Sequence, residues 1–487
     1  MLEKGLAVNL SVIWDPGPKG PSEVRTGMRA SEQETAVKQW VAEHMNADIL
    51  RIERQARWRP VWYVDAAQSE KKWRLCVRGD RVDARIGFTL EHEMQLQQLL
   101  HQHGLPVPQV HGFIDSPRAY VMDRVEGQER FEDTTPQAER DVVLDSYIKS
   151  LAQIHSLDVE PFARAGILRA DKPSHSGRVG MQVYEQAYRA SKKRPDPFLE
   201  FALGWLKRNP LQNRSQESVV LWDTGQFLHS GGEVTAIIDL EIGHIGDPMM
   251  DLAGFRMRAR EIGFSDFDRL YTVYSKNGGQ AVDREAIQHY YFAFALCNQL
   301  AFHSALAAPP PGSDYMMNLR WCIETNLYAI EALADILSLE LEPVPPLTAQ
   351  TSSTDIAHTH LVEWLRNFEP HDPGEAHTVR SGFRLARHLQ RASQVGIQAE
   401  EADRQDLTSL LGQTPVNPQE ADAELEAFVI CDGGTHDLAL IKLFHRRLVR
   451  ALSTLGPEGS AIARHYPVEG LEVAEAGQLS SKRSPSL

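Results

Sequence analysis

The chain has 487 residues, of which 42% are hydrophobic, and a formal net charge of −15. This length and apolar share exclude a wholly disordered chain and allow two lobes and one further domain. The acidity, with no basic face evident to offset it, argues against nucleic acid as the primary partner.

The first quarter of the chain predicts a loose arm followed by a small lobe of strands. Residues 1–30 are rich in Pro and Gly and predict a flexible arm. Residues 36–47 have helical spacing, and residues 49–82 alternate like strands, with 60–64 as a candidate for the second strand. A further helical pattern covers residues 90–104 and ends at a glycine.

The middle of the chain is mainly helical in its spacing. Asp196 is placed to cap one of these helices, and the prolines at 309–311 separate the last two, because proline cannot continue a helix. Helical apolar spacing recurs over 142–157, 183–189, 196–206, 287–306 and 318–337.

A boundary follows near residue 341. Residues 341–353 carry three prolines and a Thr-Ser-Ser run, which is the composition of a linker. Beyond it, residues 354–456 keep helical spacing and predict a small helical domain, and residues 457–487 read as a polar tail. Two roles stay open for this domain: an appendage that stabilises the large lobe, or a surface for a protein partner or a second copy.

An acidic cluster near residue 230 is the strongest chemical signal. Asp223 ends an apolar run, Asp239 ends the β-branched and apolar run 234–238, and Gly231-Gly232 between them predicts a tight hairpin. A hairpin brings the two carboxylates together although they are 16 positions apart. Paired carboxylates at strand ends suit a general base beside a metal ligand, which phosphoryl transfer requires.

The order of these motifs resembles the aminoglycoside phosphotransferase superfamily, whose members have a protein-kinase-like fold. The resemblance spans roughly residues 30–340 and implies a bilobal α+β fold, with a small antiparallel-sheet lobe over 31–125 and a mainly helical lobe over 126–340. The motifs that carry it lie at 74–78, 90–94, 120–127, 151–158, 239–241 and 247–253.

The resemblance implies roles for three residues of the acidic cluster. Asp223 would accept the proton of the attacking hydroxyl, and Asp239 would hold Mg²⁺. The family reads His-Gly-Asp where this chain reads Leu221-Trp222-Asp223, and its loop to the metal-binding asparagine is about two residues longer. Gln226 is the nearest polar candidate for that second ligand, and an ordinary loop residue is the alternative. Trp222 is interpreted as a packing residue.

The resemblance also implies an ATP site. Arg78 falls at the family's ATP-gripping lysine, and arginine can hold phosphate oxygens bidentately. Glu93, or alternatively Glu91, would hold Arg78 from the following helix. The candidates for facing adenine are Met122, Asp123 and Val125, the last two through the backbone.

Other polar residues of the large lobe are interpreted as structural. Asp247 and Asp251 are expected to brace the catalytic loop and cap a helix, and His155 to be a satisfied core histidine. Glu241 is left open between a role beside the metal ligand and plain exposure.

Three functions compete. The first is an ATP-dependent kinase for a small-molecule hydroxyl, with a hydroxyacyl-CoA thioester as the favoured acceptor. The second is a nucleotide-binding pseudokinase, and the third is an aminoglycoside or macrolide resistance kinase. Four scattered cysteines, no signal-peptide pattern and no apolar run of membrane-spanning length predict a cytoplasmic protein without a membrane contact.

Overall fold

A computed structural model describes residues 30–470, apart from 56, 58, 82–85, 265, 311–312, 457–459, 466 and 469. The predicted arm therefore lies, except for Ala30, outside the described residues, as do residues 471–487 of the predicted tail. In the described part of the chain, no helix is long and apolar enough to cross a membrane.

The small lobe is an antiparallel sheet with strand order β1-β2-β3-β5-β4. Alternate residues of its central strands, including Trp62, Leu75 and Val121, are buried in one apolar cluster with the first helix. Thr89 caps the second helix by accepting a hydrogen bond from the backbone of His92 at 3.2 Å. The elements are α1 (Ala30–Met45), β1 (Asp48–Arg54), β2 (Val61–Gln68), β3 (Lys71–Gly79), α2 (Leu90–Gln102), β4 (Val110–Asp115) and β5 (Arg118–Asp123).

The large lobe is mainly helical, so the predicted bilobal α+β class, a small antiparallel-sheet lobe with a mainly helical lobe, is confirmed. Its helices are α3 (Gln137–His155), α4 (Glu160–Arg164), α5 (Val179–Ser191), α6 (Pro197–Arg208), α7 (Met249–Met257), α8 (Ala259–Ile262), α9 (Phe267–Lys276), α10 (Arg284–Ala295), α11 (Cys297–Ala307) and α12 (Tyr315–Ile336). Its strands are β6 (Ser218–Val220), β7 (Phe227–Ser230), β8 (Glu233–Ile237) and β9 (His244–Gly246). The Asp196 carboxylate caps α6 by accepting from the Leu199 N–H at 3.0 Å, as predicted.

One predicted helix of this lobe is wrong. The segment 287–306 forms two helices, α10 and α11, which meet at Leu296. The Leu296 N–H donates to the carbonyl of Ala293 at 3.2 Å, a tightened turn that ends the first helix. Because apolar spacing continues through this turn, the sequence gives no signal for the break.

The C-terminal helices pack directly on the large lobe. Buried residues Leu407, Leu425 and Phe444 belong to the same hydrophobic core as the large lobe. The Phe444 ring lies 5.5 Å from that of Phe198 and 5.4 Å from that of Phe201, both on α6. The helices are α13 (Asp355–Arg366), α14 (Pro373–Leu411), α15 (Pro418–Asp432), α16 (Asp437–Ser453) and α17 (Ser460–Ala463).

Part of the segment predicted as a polar tail is anchored. Glu331 on α12 lies 2.6 Å from the His465 imidazole and accepts from the backbone N–H of Val468 at 2.9 Å. The boundaries proposed at 341, 354 and 457 stay predictions.

We expect Phe444→Ala to lower the free energy of unfolding by about 3–5 kcal/mol, because it removes a buried ring between α16 and α6. Leu438→Ala on the same helix is the control, since Leu438 is 53% exposed. Chemical denaturation measures both changes. Equal, small losses for the two variants would show that α16 does not share the core of the large lobe.

Candidate active site

The two carboxylates singled out in the sequence flank one hairpin. Strands β7 and β8 pair antiparallel from Phe227↔Ile237 to Ser230↔Glu233, with a register shift between Leu228 and His229. Gly231 and Gly232 form the turn with φ of 60° and 85°. Asp223 precedes β7 and Asp239 follows β8, so the predicted hairpin is confirmed. The apolar run before Asp223 begins in β6, which ends at Val220 and pairs with β9 outside the hairpin.

The loop that carries Asp223 is held by hydrogen bonds to a buried carboxylate. Asp251 accepts from the backbone N–H groups of Leu221 at 3.0 Å and Trp222 at 2.6 Å, and it lies 2.9 Å from the His155 imidazole. These bonds fix Trp222 at φ 61°, a left-handed conformation that is unusual for a non-glycine residue. The structural interpretations of Asp251 and His155 are therefore confirmed.

Two further interpretations of the loop are also confirmed. The Trp222 side chain is fully buried and packs so closely on α5 that a Cβ at Gly180 would lie 2.2 Å from its ring. Asp247 is buried, accepts two hydrogen bonds of 2.7 Å from Arg214, and accepts from the backbone N–H of Met249 at the start of α7 at 2.9 Å. Trp222 therefore packs in the core, and Asp247 braces the start of α7.

Asp223 is held by two donors. Arg258, immediately after α7, donates to one carboxylate oxygen from Nε at 3.0 Å and from Nη2 at 2.6 Å, and to the other from Nη2 at 2.8 Å. Gln226 donates to this second oxygen from Nε2 at 2.8 Å. Burial raises the pKa of Asp223 to about 6, against the opposing charge of Arg258.

Asp239 sits in an ion network that joins the lobes. Although burial opposes its ionisation, Arg78 and other nearby guanidinium groups lower the pKa of Asp239 to about 2. Arg78 pairs with Asp239, and its Nε lies 2.9 Å from Glu93. Glu91 instead pairs with Arg118 at 2.6 Å. Of the two predicted partners for Arg78, the structure therefore places Glu93 beside it.

Sequence reasoning missed two further arginines in this network. Arg59, just before β2, lies 3.3 Å from Glu93 and 2.6 Å from Glu241. Arg81, just after β3, lies 2.9 Å from Glu241. Glu241 therefore forms ion pairs between the lobes. Of the two alternatives left open for this residue, plain exposure is excluded.

These surroundings shift the pKa values of Asp223 and Asp239 in opposite directions. Burial keeps the pKa of Asp223 near neutrality, where a carboxylate can exchange a proton, whereas arginines keep Asp239 ionised. Opposite shifts in neighbouring carboxylates are the pattern expected of a base beside a fixed charge. The arrangement can accept a proton at one carboxylate and hold a cation at the other.

The donor atoms present suit Mg²⁺. The carbonyl of Gln226 accepts from the Ile238 N–H at 3.1 Å, which places Gln226 beside Asp239 as well as beside Asp223. Mg²⁺ prefers hard oxygen donors and takes one or two protein carboxylates with phosphate and water. Asp239 and the amide oxygen of Gln226 fit that requirement. Among the described residues, no group of three or more His, Cys, Asp or Glu side chains could hold a metal ion.

Two backbone amides at the end of β5, where contacts to adenine are predicted, have partners within the small lobe. The Asp123 N–H donates to the Gln109 carbonyl at 2.9 Å, and the Arg124 N–H donates to the Arg74 carbonyl at 2.8 Å. These two amides are hydrogen-bonded within the small lobe. Backbone contacts to adenine would therefore be made by carbonyls of the segment or by Val125. The Met122 sulfur accepts from the Gln97 amide at 3.3 Å.

Residues 60–290 match the phosphotransferase enzyme family. Among curated proteins, acyl-CoA dehydrogenase family member 11 of Homo sapiens is 26% identical over 182 residues, which cover 34% of this chain and 23% of that protein. The Rattus norvegicus protein of the same name is 27% identical over 176 residues, 34% of this chain and 22% of that protein. The chain thus matches less than a quarter of the length of these relatives.

Two solved structures are also similar to the chain. Choline kinase LicA from Streptococcus pneumoniae gives a TM-score of 0.45 at 17% identity, covering 62% of this chain and 98% of that one. Macrolide 2'-phosphotransferase type I gives a TM-score of 0.43 at 17% identity, covering 62% of this chain and 97% of that one.

Proposed function

We propose, from the match of residues 60–290 to the phosphotransferase enzyme family, that this protein transfers the γ-phosphate of ATP to a hydroxyl of a small molecule. The observation that carries the proposal is the placement of Asp223 and Asp239 on either side of one hairpin, with Gln226 between them. Phosphoryl transfer asks a protein mainly for positioning and charge, and this arrangement supplies both.

Each residue then has a chemical task. Asp223 accepts the proton of the acceptor hydroxyl as its oxygen attacks. Asp239 and Gln226 would hold Mg²⁺, which would neutralise charge on the phosphates when bound. Arg78, which pairs with both Glu93 and Asp239, would hold the α- and β-phosphates when ATP is bound, because a guanidinium holds phosphate oxygens bidentately.

The name of the curated relatives supports an acyl-CoA acceptor. Those proteins are called acyl-CoA dehydrogenase family member 11, a name that refers to acyl-CoA chemistry. On this basis we propose a hydroxyacyl-CoA thioester as the acceptor. The proposed location is the cytoplasm.

One observation favours a second candidate function. In the structure, Asp239 is paired with Arg78, and Asp223 is held by Arg258 and Gln226, so both catalytic carboxylates have protein partners. A pseudokinase would keep these pairs permanently and use the C-terminal helices to bind a protein partner. A kinase exchanges them when nucleotide and acceptor bind.

We expect Asp239→Asn to abolish the magnesium-dependent part of ATP binding, because it removes the only charged oxygen donor proposed for the metal. Calorimetric titration of ATP, with and without Mg²⁺, measures this in the native protein and the variant. Asp115→Asn, at the exposed end of β4, is the matched control and should bind like the native protein. Native protein that binds no ATP under either condition would refute the proposed function.

A further inference from the structure

A cavity of about 230 Å³ lies in the large lobe and opens to solvent. It is enclosed by the 3₁₀ helix Pro173–Arg178, by α5, α6 and α10, and by the segment that follows α6. Of the residues proposed for the transfer reaction, Asp223, Gln226, Asp239 and Arg78 do not line it. The cavity is therefore separate from the candidate active site.

Several apolar side chains line the cavity. Met181 belongs to α5, Leu203 and Leu206 belong to α6, and Leu211 and Ala293 complete this side. Concave sites with apolar walls and a few polar groups are the usual form of a small-molecule site. In proportion to a cavity of about 150 Å³ that holds benzene, this volume suits a ligand of about nine heavy atoms.

Three cationic side chains also line the cavity, and two of them are paired with carboxylates. Lys207 donates to Glu185 at 2.6 Å, and both residues line the cavity. Arg214 donates to Asp247 at 2.7 Å and to Asp283 at 2.9 Å. The charges of Lys207 and Arg214 are therefore offset within the protein.

Arg178 is the third cation, and its surroundings differ. It is exposed immediately before α5, and its side chain has no ion-pair or hydrogen-bond partner in the described part of the chain. Burial lowers the pKa of His289, against its hydrogen bond to the Asn209 carbonyl, and the charge of Arg178 adds to that lowering. Because His289 also lines the cavity, the charge of Arg178 acts on the cavity and is available to a ligand.

Two polar side chains accompany Arg178. Gln182 lies four positions later, and Ser174 belongs to the preceding 3₁₀ helix; both line the cavity. Ser174 is exposed and Gln182 is partly exposed, and neither side chain has a hydrogen-bond partner among the residues that the structure describes. Both can donate hydrogen bonds to an anion held by Arg178.

We propose that this cavity binds a small amphipathic carboxylate with an apolar chain of medium length. The guanidinium of Arg178 would hold the carboxylate through two parallel hydrogen bonds, and the chain would lie along the leucines of α6. Burying the chain removes apolar surface from water. One available cation matches one negative charge, whereas a phosphate dianion would keep a charge unmatched. This binding goes beyond the proposed transfer reaction.

The test titrates four probes calorimetrically into the native protein without nucleotide: hexanoate, 1-hexanol, hexylammonium and acetate. The second and third probes keep the chain and change the charge, and acetate keeps the charge without the chain. We expect hexanoate to bind at least tenfold more tightly than 1-hexanol and acetate, and hexylammonium to show no binding. The proposal is overturned if hexanoate does not bind, or if any of the other three probes binds as tightly.

Two variants assign the binding to this cavity. Arg178→Gln should weaken hexanoate binding at least tenfold and leave the affinity for 1-hexanol unchanged, because it removes the charge alone. Met181→Trp should weaken the binding of both probes at least tenfold, because the larger side chain fills the cavity. Arg380→Gln is the control, since Arg380 is exposed on α14 and also has no described ion-pair partner. Native hexanoate affinity in Arg178→Gln or in Met181→Trp would contradict the proposal.

Discussion

Asp223→Asn is expected to reduce kcat by about 10²- to 10⁴-fold while leaving the affinity for ATP nearly unchanged. Asparagine keeps the shape of the side chain and one oxygen for Arg258, but it cannot take the proton of the acceptor hydroxyl. Because the proposed metal and phosphate contacts are made by Asp239, Gln226 and Arg78, we expect them to be retained in the variant.

Steady-state kinetics and calorimetric ATP binding together check this expectation. The control is Asp158→Asn, an acidic residue between α3 and α4, which should keep native kcat and native ATP affinity. Full activity in Asp223→Asn would remove Asp223 from the mechanism. A parallel loss of ATP affinity would place it in the nucleotide site instead.

The hairpin could be predicted because its signals are local. Gly231 and Gly232 supply the positive φ values of the turn, and β-branched residues on one side define a strand. The Asp196 cap is equally local, since donor and acceptor lie three residues apart. Features of this kind can be recognised within a short window of sequence.

The charge network could not be predicted because its partners are far apart in the chain. Arg59 and Glu241 are separated by 182 positions, and Arg258 lies 35 positions after Asp223. In sequence, these arginines look the same as the many that lie on the surface. Only the fold shows that Arg59 reaches Glu93 and Glu241 and that Arg258 reaches Asp223.

The C-terminal helices show an intermediate case. The helical spacing of α14 and α16 was readable, because each has one apolar face. The residues that pack against that face could not be predicted, because Phe444 packs on Phe198, which lies more than 240 positions earlier. Periodicity shows that a face is buried, and it carries no information about what buries it.

Arg78→Met is expected to abolish ATP binding and also to lower the free energy of unfolding by about 3–5 kcal/mol. Glu93 is only 2% exposed and would keep a single described partner, Arg59, at 3.3 Å. A buried carboxylate that loses one of its two guanidinium partners is left partly uncompensated. The resulting free-energy cost lowers the stability of the small lobe.

The double variant Arg78→Met, Glu93→Leu separates the two roles of Arg78. Removing both charges should recover most of the lost stability, because the deeply buried Glu93 carboxylate is then gone and Arg59 keeps Glu241 at 2.6 Å, while ATP binding stays absent. Arg118→Met, which breaks the exposed pair with Glu91, is the control and should cost at most about 1 kcal/mol. Chemical denaturation and calorimetry measure the two properties independently. Recovery of ATP binding in the double variant would show that Arg78 has only a structural role and that another group holds the phosphates.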